Sequence, residues 1–202
     1  MISILKSPAE FFLEEVESGL SSLRVQAAPA VKSYLVSVLQ HHIQSGNLFD
    51  EAFNEAGQRQ PQTMAELFLQ SQSLASAHRF DMLKKVGDRS LYLSGFFSDS
   101  FNRKLVDVDY YVDIGGAAYR SLAEEIREDV KASVYKTMAE RFIVFVDVLS
   151  LIAQKSGPRT NTNLLRTYEK YLRTGSELAK EKLLEAGIFQ LQKTDLKKVG
   201  PN

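Results

Sequence analysis

The residues best placed to do chemistry lie between Lys104 and Leu122, KLVDVDYYVDIGGAAYRSL. The stretch carries Asp107, Asp109 and Asp113, the tyrosines Tyr110, Tyr111 and Tyr119, and the pair Gly115-Gly116. Aspartates at such spacing suggest a cation site. A calcium loop starting at Asp107 needs an oxygen ligand at its fifth position, glycine at the sixth and glutamate at the twelfth. The chain offers Tyr111, Val112 and Ala118 there, so that chemistry is excluded. Asp107 and Asp109 also imitate the aspartate pair of magnesium-dependent phosphotransferases. That pair sits at the end of a buried parallel strand, and no strand–helix alternation surrounds this one.

Other catalytic patterns fail on spacing. His41, His42 and His78 are preceded three residues earlier by Val38, Leu39 and Ala75, so no Glu-x-x-His metal pair exists. There is no HExxH, no Gly-x-Ser-x-Gly elbow and no P-loop, and Gly115-Gly116 lacks the strand and third glycine of a dinucleotide fold. The absence of cysteine removes thiolate nucleophiles, zinc–thiolate sites and iron–sulfur clusters. The sequence therefore names no catalytic residue, no metal ligand and no cofactor. Aromatic chemistry remains, with Tyr92, Phe96, Phe97, Phe101, Tyr110, Tyr111 and Tyr119 crowded together. Such stripes normally pack a core, and tyrosine is also enriched where proteins meet partners or ligands. The candidate ligand- or partner-binding set is Tyr92, Phe97, Asp107, Tyr110, Tyr111 and Tyr119.

The elements that must position these residues read as helices. Ser7-Pro8-Ala9-Glu10 is a capping box with proline at the first helical position, followed by the face Phe12, Val16, Leu20, Leu23. Val31, Tyr34, Leu35, Val38, Leu39 and His42 form one apolar stripe ending near Gly46. A short helix is expected over 48–56, capped by Asn47 and stopped by Gly57. The tetrapeptide TMAE occurs at 63–66 and at 137–140, and both copies read as capping boxes. Between them a central helix, roughly 74–104, is apolar on two sides. Its Gly87, Ser90, Ser94 and Gly95 suit close approach of neighbouring backbones.

Within the 104–122 stretch, Asp109 and Asp113 repel on a continuous helix and the glycine pair weakens one. The pattern predicts a joint between helices, with Asp113 capping the next helix near Ala117 or a tyrosine hydroxyl bonding a buried aspartate. Helices follow over 117–136 and from Met138 to about Lys155, then a loop at 156–163. A last helix has a bend at Gly175 and a stop at Gly187, and a mobile polar tail covers 193–202. The fold class is an all-α, single-domain bundle of about six to eight helices over 1–192, with a long buried central helix.

Composition sets the outer limits. Lys plus Arg and Asp plus Glu both number 25, giving a formal net charge of zero, which disfavours nucleic acid as a partner. The most apolar stretch, Phe142 to Ala153, is too short to span a bilayer, which takes about 20 residues. No secretory signal pattern opens the chain, and cytoplasmic residence is expected.

The segment 91–122, through SGFF, DVDYY and GGAAY, resembles a family of bacterial all-helical proteins with no assigned activity. The resemblance implies a bacterial cytoplasmic protein. The expected function is a non-catalytic helical protein-interaction module of the adaptor or regulatory kind, associating with itself or another protein. The alternative is a bundle with a small-molecule or enzymatic pocket lined by tyrosine and aspartate.

Overall fold

The computed structural model describes residues 7–43, 51–53, 59–96, 105–155 and 176–185. Among them are α1 (Pro8–Ser22), α2 (Pro29–Ile43), β1 (Glu51–Phe53), β2 (Arg59–Pro61), α3 (Met64–Ser71), α4 (Ser76–Phe96), α5 (Leu105–Glu125), α6 (Asp129–Glu140), α7 (Phe142–Lys155) and α8 (Glu177–Glu185). The architecture is the expected all-α bundle, its helices packed into one domain. No described helix is long and apolar enough to cross a membrane.

Helix α1 starts at the predicted capping box. The Ser7 hydroxyl accepts from the Glu10 N–H and the Glu10 carboxylate accepts from the Ser7 N–H, satisfying donors a helix start leaves free. It ends in a Schellman turn: Arg24 has a φ of 55°, and the Val25 N–H returns 2.9 Å to the Leu20 carbonyl. Helix α2 buries Val31, Leu35, Val38, Leu39 and His42 along the expected stripe. Thr63 and Glu66 cap α3 as predicted.

Helix α4 is the axis of the bundle and packs against α2, α3, α5 and α7. Every residue from Val86 to Gly95 is buried. The close approaches expected here are present: a Cβ on Gly87 would fall 2.6 Å from Tyr119 Cε1, and one on Gly95 would strike Leu149. The Ser94 hydroxyl donates to the Ser90 carbonyl at 2.7 Å, which satisfies it within its own helix.

Several expectations are corrected. The helix expected over 48–56 is instead a strand at 51–53, paired antiparallel with 59–61 in the register Glu51–Pro61. The joint at Gly115-Gly116 is a continuous helix, α5. Gly115 lies beneath Phe142, whose Cζ would be 2.5 Å from an added Cβ, and beside Ser90. This packing outweighs the weak helix propensity of glycine, a deficit of about 1 kcal/mol.

The single helix expected over 117–136 breaks at 126–128. Glu124 and Glu125 oppose the negative end of α5, while Glu128 and Asp129 suit the positive start of α6. Thr137 lies inside α6 and donates back to the Ser133 carbonyl at 2.8 Å, so the second TMAE is not a cap. The chain turns at Arg141, and α7 begins at Phe142 rather than Met138. The central helix runs 76–96 within the described residues; 97–104, the loop 156–163 and the tail 193–202 lie outside them, and of the last helix only 177–185 is described.

The two glycines of α5 should therefore behave oppositely. Gly115→Ala is expected to lower stability, because overpacking of about 1–3 kcal/mol exceeds the propensity gain. Gly116→Ala meets nothing within 4 Å and should raise stability by up to about 1 kcal/mol. Urea unfolding followed by far-ultraviolet circular dichroism measures both.

Candidate functional site

Two places gather chemically capable side chains. The first is buried. Asp88 sits mid-way along α4 at 4% exposure. Its Oδ1 accepts from the Tyr34 hydroxyl of α2 at 2.5 Å and from the Tyr119 hydroxyl of α5 at 2.8 Å. Its Oδ2 accepts from Lys84 Nζ one turn earlier. Tyr135 of α6 closes the cluster, its ring 5.4 Å from Tyr34 and 6.0 Å from Tyr119. Lys84 reaches the surface, and its ammonium also lies 5.3 Å from the centre of the Tyr34 ring.

Burial first, and then the Asp88 charge, hold Tyr119 well above the usual tyrosine range. Tyr34 is raised in the same way by burial, the neighbouring Tyr119 and Asp88. Tyr135 is pushed up to about 12 by burial and then Asp88. The phenols therefore stay protonated and act as donors to a fixed carboxylate, which satisfies the buried ion.

Beside this cluster His42 lies flat against Tyr92, centroids 4.8 Å apart, and Tyr92 stacks on Phe96 at 4.5 Å. His42 Nδ1 is 2.8 Å from the Val38 carbonyl and so carries the proton. Burial lowers its pKa to about 4.

The residues expected from sequence divide among different roles. Tyr119 belongs to the Asp88 cluster and Tyr92 to the histidine stack. Tyr111 is buried at 4% exposure. The Tyr110 hydroxyl accepts from the Ala65 N–H at 3.0 Å, serving a free donor in the first turn of α3. Asp107 lies in the first turn of α5 with its side chain outside the described set, and Phe97 lies outside the described residues. Asp88, Tyr34, Lys84 and Tyr135 were not singled out. Their signal was an aspartate inside a helix apolar on two sides, where no wet face remained for it.

The second place is open. Helices α5, α6 and α7 leave a cleft of about 250 Å³, lined by Val112, Asp113, Gly116, Arg120 and the turn 139–144. Ile143 stands on it at 61% exposure. Gly116 is itself buried, with nothing within 4 Å of the position of a Cβ. Arg141 is held at the turn, donating to the Gln26 carbonyl at 2.8 Å. No group of three or more histidine, aspartate or glutamate side chains able to hold a metal occurs among the described residues.

The fold and these two places define an all-α bundle with an ion clamped in its core and a cleft at one helix junction. No family model matches the chain, and neither does any curated protein or solved structure.

Tyr119→Phe removes one donor and should lower stability by about 1–3 kcal/mol. Asp88→Ala strands two phenols, while Lys84 reaches water, and should cost about 2–5 kcal/mol. The double variant should cost less than the sum, since both changes act on one bond. Denaturant titrations of the three variants measure this.

His42 supplies a pH dependence. Its folded pKa, about 4, lies below the unfolded value of 6.5, so the unfolded chain binds more protons between them. The contribution of neutral His42 is complete above pH 6.5 and is lost as pH falls toward 4, at up to about 1.4 kcal/mol per pH unit. His42→Phe keeps a ring against Tyr92 and should flatten this part of a stability–pH profile.

Proposed function

We propose that the protein is a non-catalytic interaction module that works by binding protein, and specifically by self-association. One observation carries the reading: Ile143 is 61% exposed on the wall of an open cleft that also presents Val112, Ala139 and Val144. Single exposed apolar side chains are ordinary on a protein surface. Leu69, Val130 and Leu178 are of that kind, and they do not line the cleft. An exposed isoleucine set beside a concave, partly apolar surface is what a protein interface covers.

The competing pocket reading draws less support. The Tyr119 hydroxyl is bonded to Asp88 and the Tyr92 ring is stacked between His42 and Phe96, so neither offers a free polar anchor to a small molecule.

Sedimentation across a concentration series tests the proposal. Self-association above the monomer mass of 22.7 kDa is expected, weakened by Ile143→Asp and unaffected by Leu69→Asp. A monomer at every concentration would overturn it.

A further inference from the structure

We infer that His42 is an acid-operated latch: as a neutral ring it closes over Tyr92 at the end of α2, and as a cation it turns into water and leaves that ring open. The closed position is built for an imidazole. His42 is 2% exposed and lies flat against Tyr92, the two rings inclined by 15°. Its Nδ1 donates to the Val38 carbonyl one turn back at 2.8 Å, so the proton of the neutral ring already has its acceptor. A second proton brings a net charge into this enclosure, and a buried charge is costly unless an opposite charge is ready to meet it.

The groups around it, taken element by element, are mostly cations. On α2 itself the His41 ring lies 5.1 Å away, centre to centre, and repels a charge on His42. Helix α4 faces it with Asp88 and Arg89, and Lys84 and Lys85 bear on His41 next door. The Asp88 carboxylate is already met by the Tyr34 and Tyr119 hydroxyls and by Lys84. Helix α1 pairs with α2 through Glu17 and Lys32, about 15 Å along the helix from His42, and its Glu10 is held in the capping box by Ser7. Helix α6 brings the neutral phenol of Tyr135 against Tyr34. Burial, with His41 and Arg89 behind it, outweighs Asp88 and the Val38 carbonyl and lowers the pKa of His42 to about 4.

The position of His42 makes the response local. It lies in the last turn of α2, one residue before Ile43, where the carbonyl end of the helix attracts a cation in water. The imidazolium thus has a favourable outward place one side-chain rotation away, while Val31, Leu35, Val38 and Leu39 keep the helix anchored. Each pH unit from 6.5 down to about 4 moves the balance about tenfold toward the outward form. Tyr92, 2% exposed with the latch closed, then turns one ring face to water and keeps Phe96 stacked at 4.5 Å. Acid shows an aromatic surface that neutral pH hides.

The test follows the ring protons of the three histidines by nuclear magnetic resonance in the full, unmodified chain as the pH is lowered, with far-ultraviolet circular dichroism in parallel. His41→Gln and His78→Gln, both at exposed positions, assign two of the signals and leave the third to His42. At neutral pH that signal should lie upfield, shifted by the Tyr92 ring. Below about pH 5 it should lose the shift while the helical dichroism is unchanged. The near-ultraviolet tyrosine signal should change over the same range and should not change in His42→Phe. A His42 signal that keeps its shift until the helices melt overturns the latch, as does a ring that titrates at the ordinary 6.5 or a tyrosine change that persists in His42→Phe.

Discussion

A carboxylate inside a helical core must be met by donors, and the bundle is arranged around meeting one. Asp88 lies near the middle of the most enclosed helix, and its partners come from α2 and α5 as well as from its own helix. The two tyrosines must each arrive with a hydroxyl at a set height and angle, so the rotation and register of α2 and α5 are fixed by one carboxylate oxygen, Oδ1. A buried ion pair adds little net stability compared with a packed apolar set of equal volume. Its geometric demand is what the rest of the fold inherits.

The neighbour of Asp88 makes that demand achievable. Tyr119 reaches the carboxylate because residue 87 has no side chain; its ring lies where a Cβ would be. Glycine admits the ring and aspartate receives its hydroxyl, two adjacent residues acting on one tyrosine. Ser90 and Gly95 repeat the arrangement along α4, with Gly115 and Phe142 above the first and Leu149 against the second. The Ser150 hydroxyl then donates to the Gly95 carbonyl at 2.9 Å, so α7 is bonded as well as packed at the narrowest contact. Salt bridges tie Arg79 in the first turn of α4 to Glu125 at the end of α5, and Lys155 at the end of α7 to Glu15 midway along α1. Being partly exposed, they add less than the core does.

Much of this was legible locally. The capping boxes at Ser7 and Thr63, the stripe of α2 and the small residues of α4 each depend on neighbours a few positions away, and the structure contains them all. Part of what failed depended on distant residues, and part, such as the second TMAE, was a local pattern with two readings. Gly115-Gly116 reads as a break until Phe142 is brought over it. The charge run of 124–129 looks like one wet helical face until the end of α5 and the start of α6 compete for it. Asp88 finds its phenols 54 and 31 residues away, a distance no pattern in the sequence measures. The cleft was equally hidden, since Ile143 in FIVFV has the look of pure core. Tyr119, Tyr110 and Tyr92, chosen for their density, proved to be busy within the fold, while Gly116 beside them lines the cleft.

The enclosure of α4 has a kinetic meaning. From Val86 to Gly95 the helix touches solvent on no side, so its backbone cannot be uncovered by fraying or by the departure of one neighbour. Amide hydrogens there can exchange with water only when the whole bundle opens, and their protection measures the global free energy of unfolding. The outer face of α1, with Phe11 and Leu13 partly in water, has no such enclosure. The molecule thus carries its own internal standard, a buried decade of backbone against which every looser part can be timed.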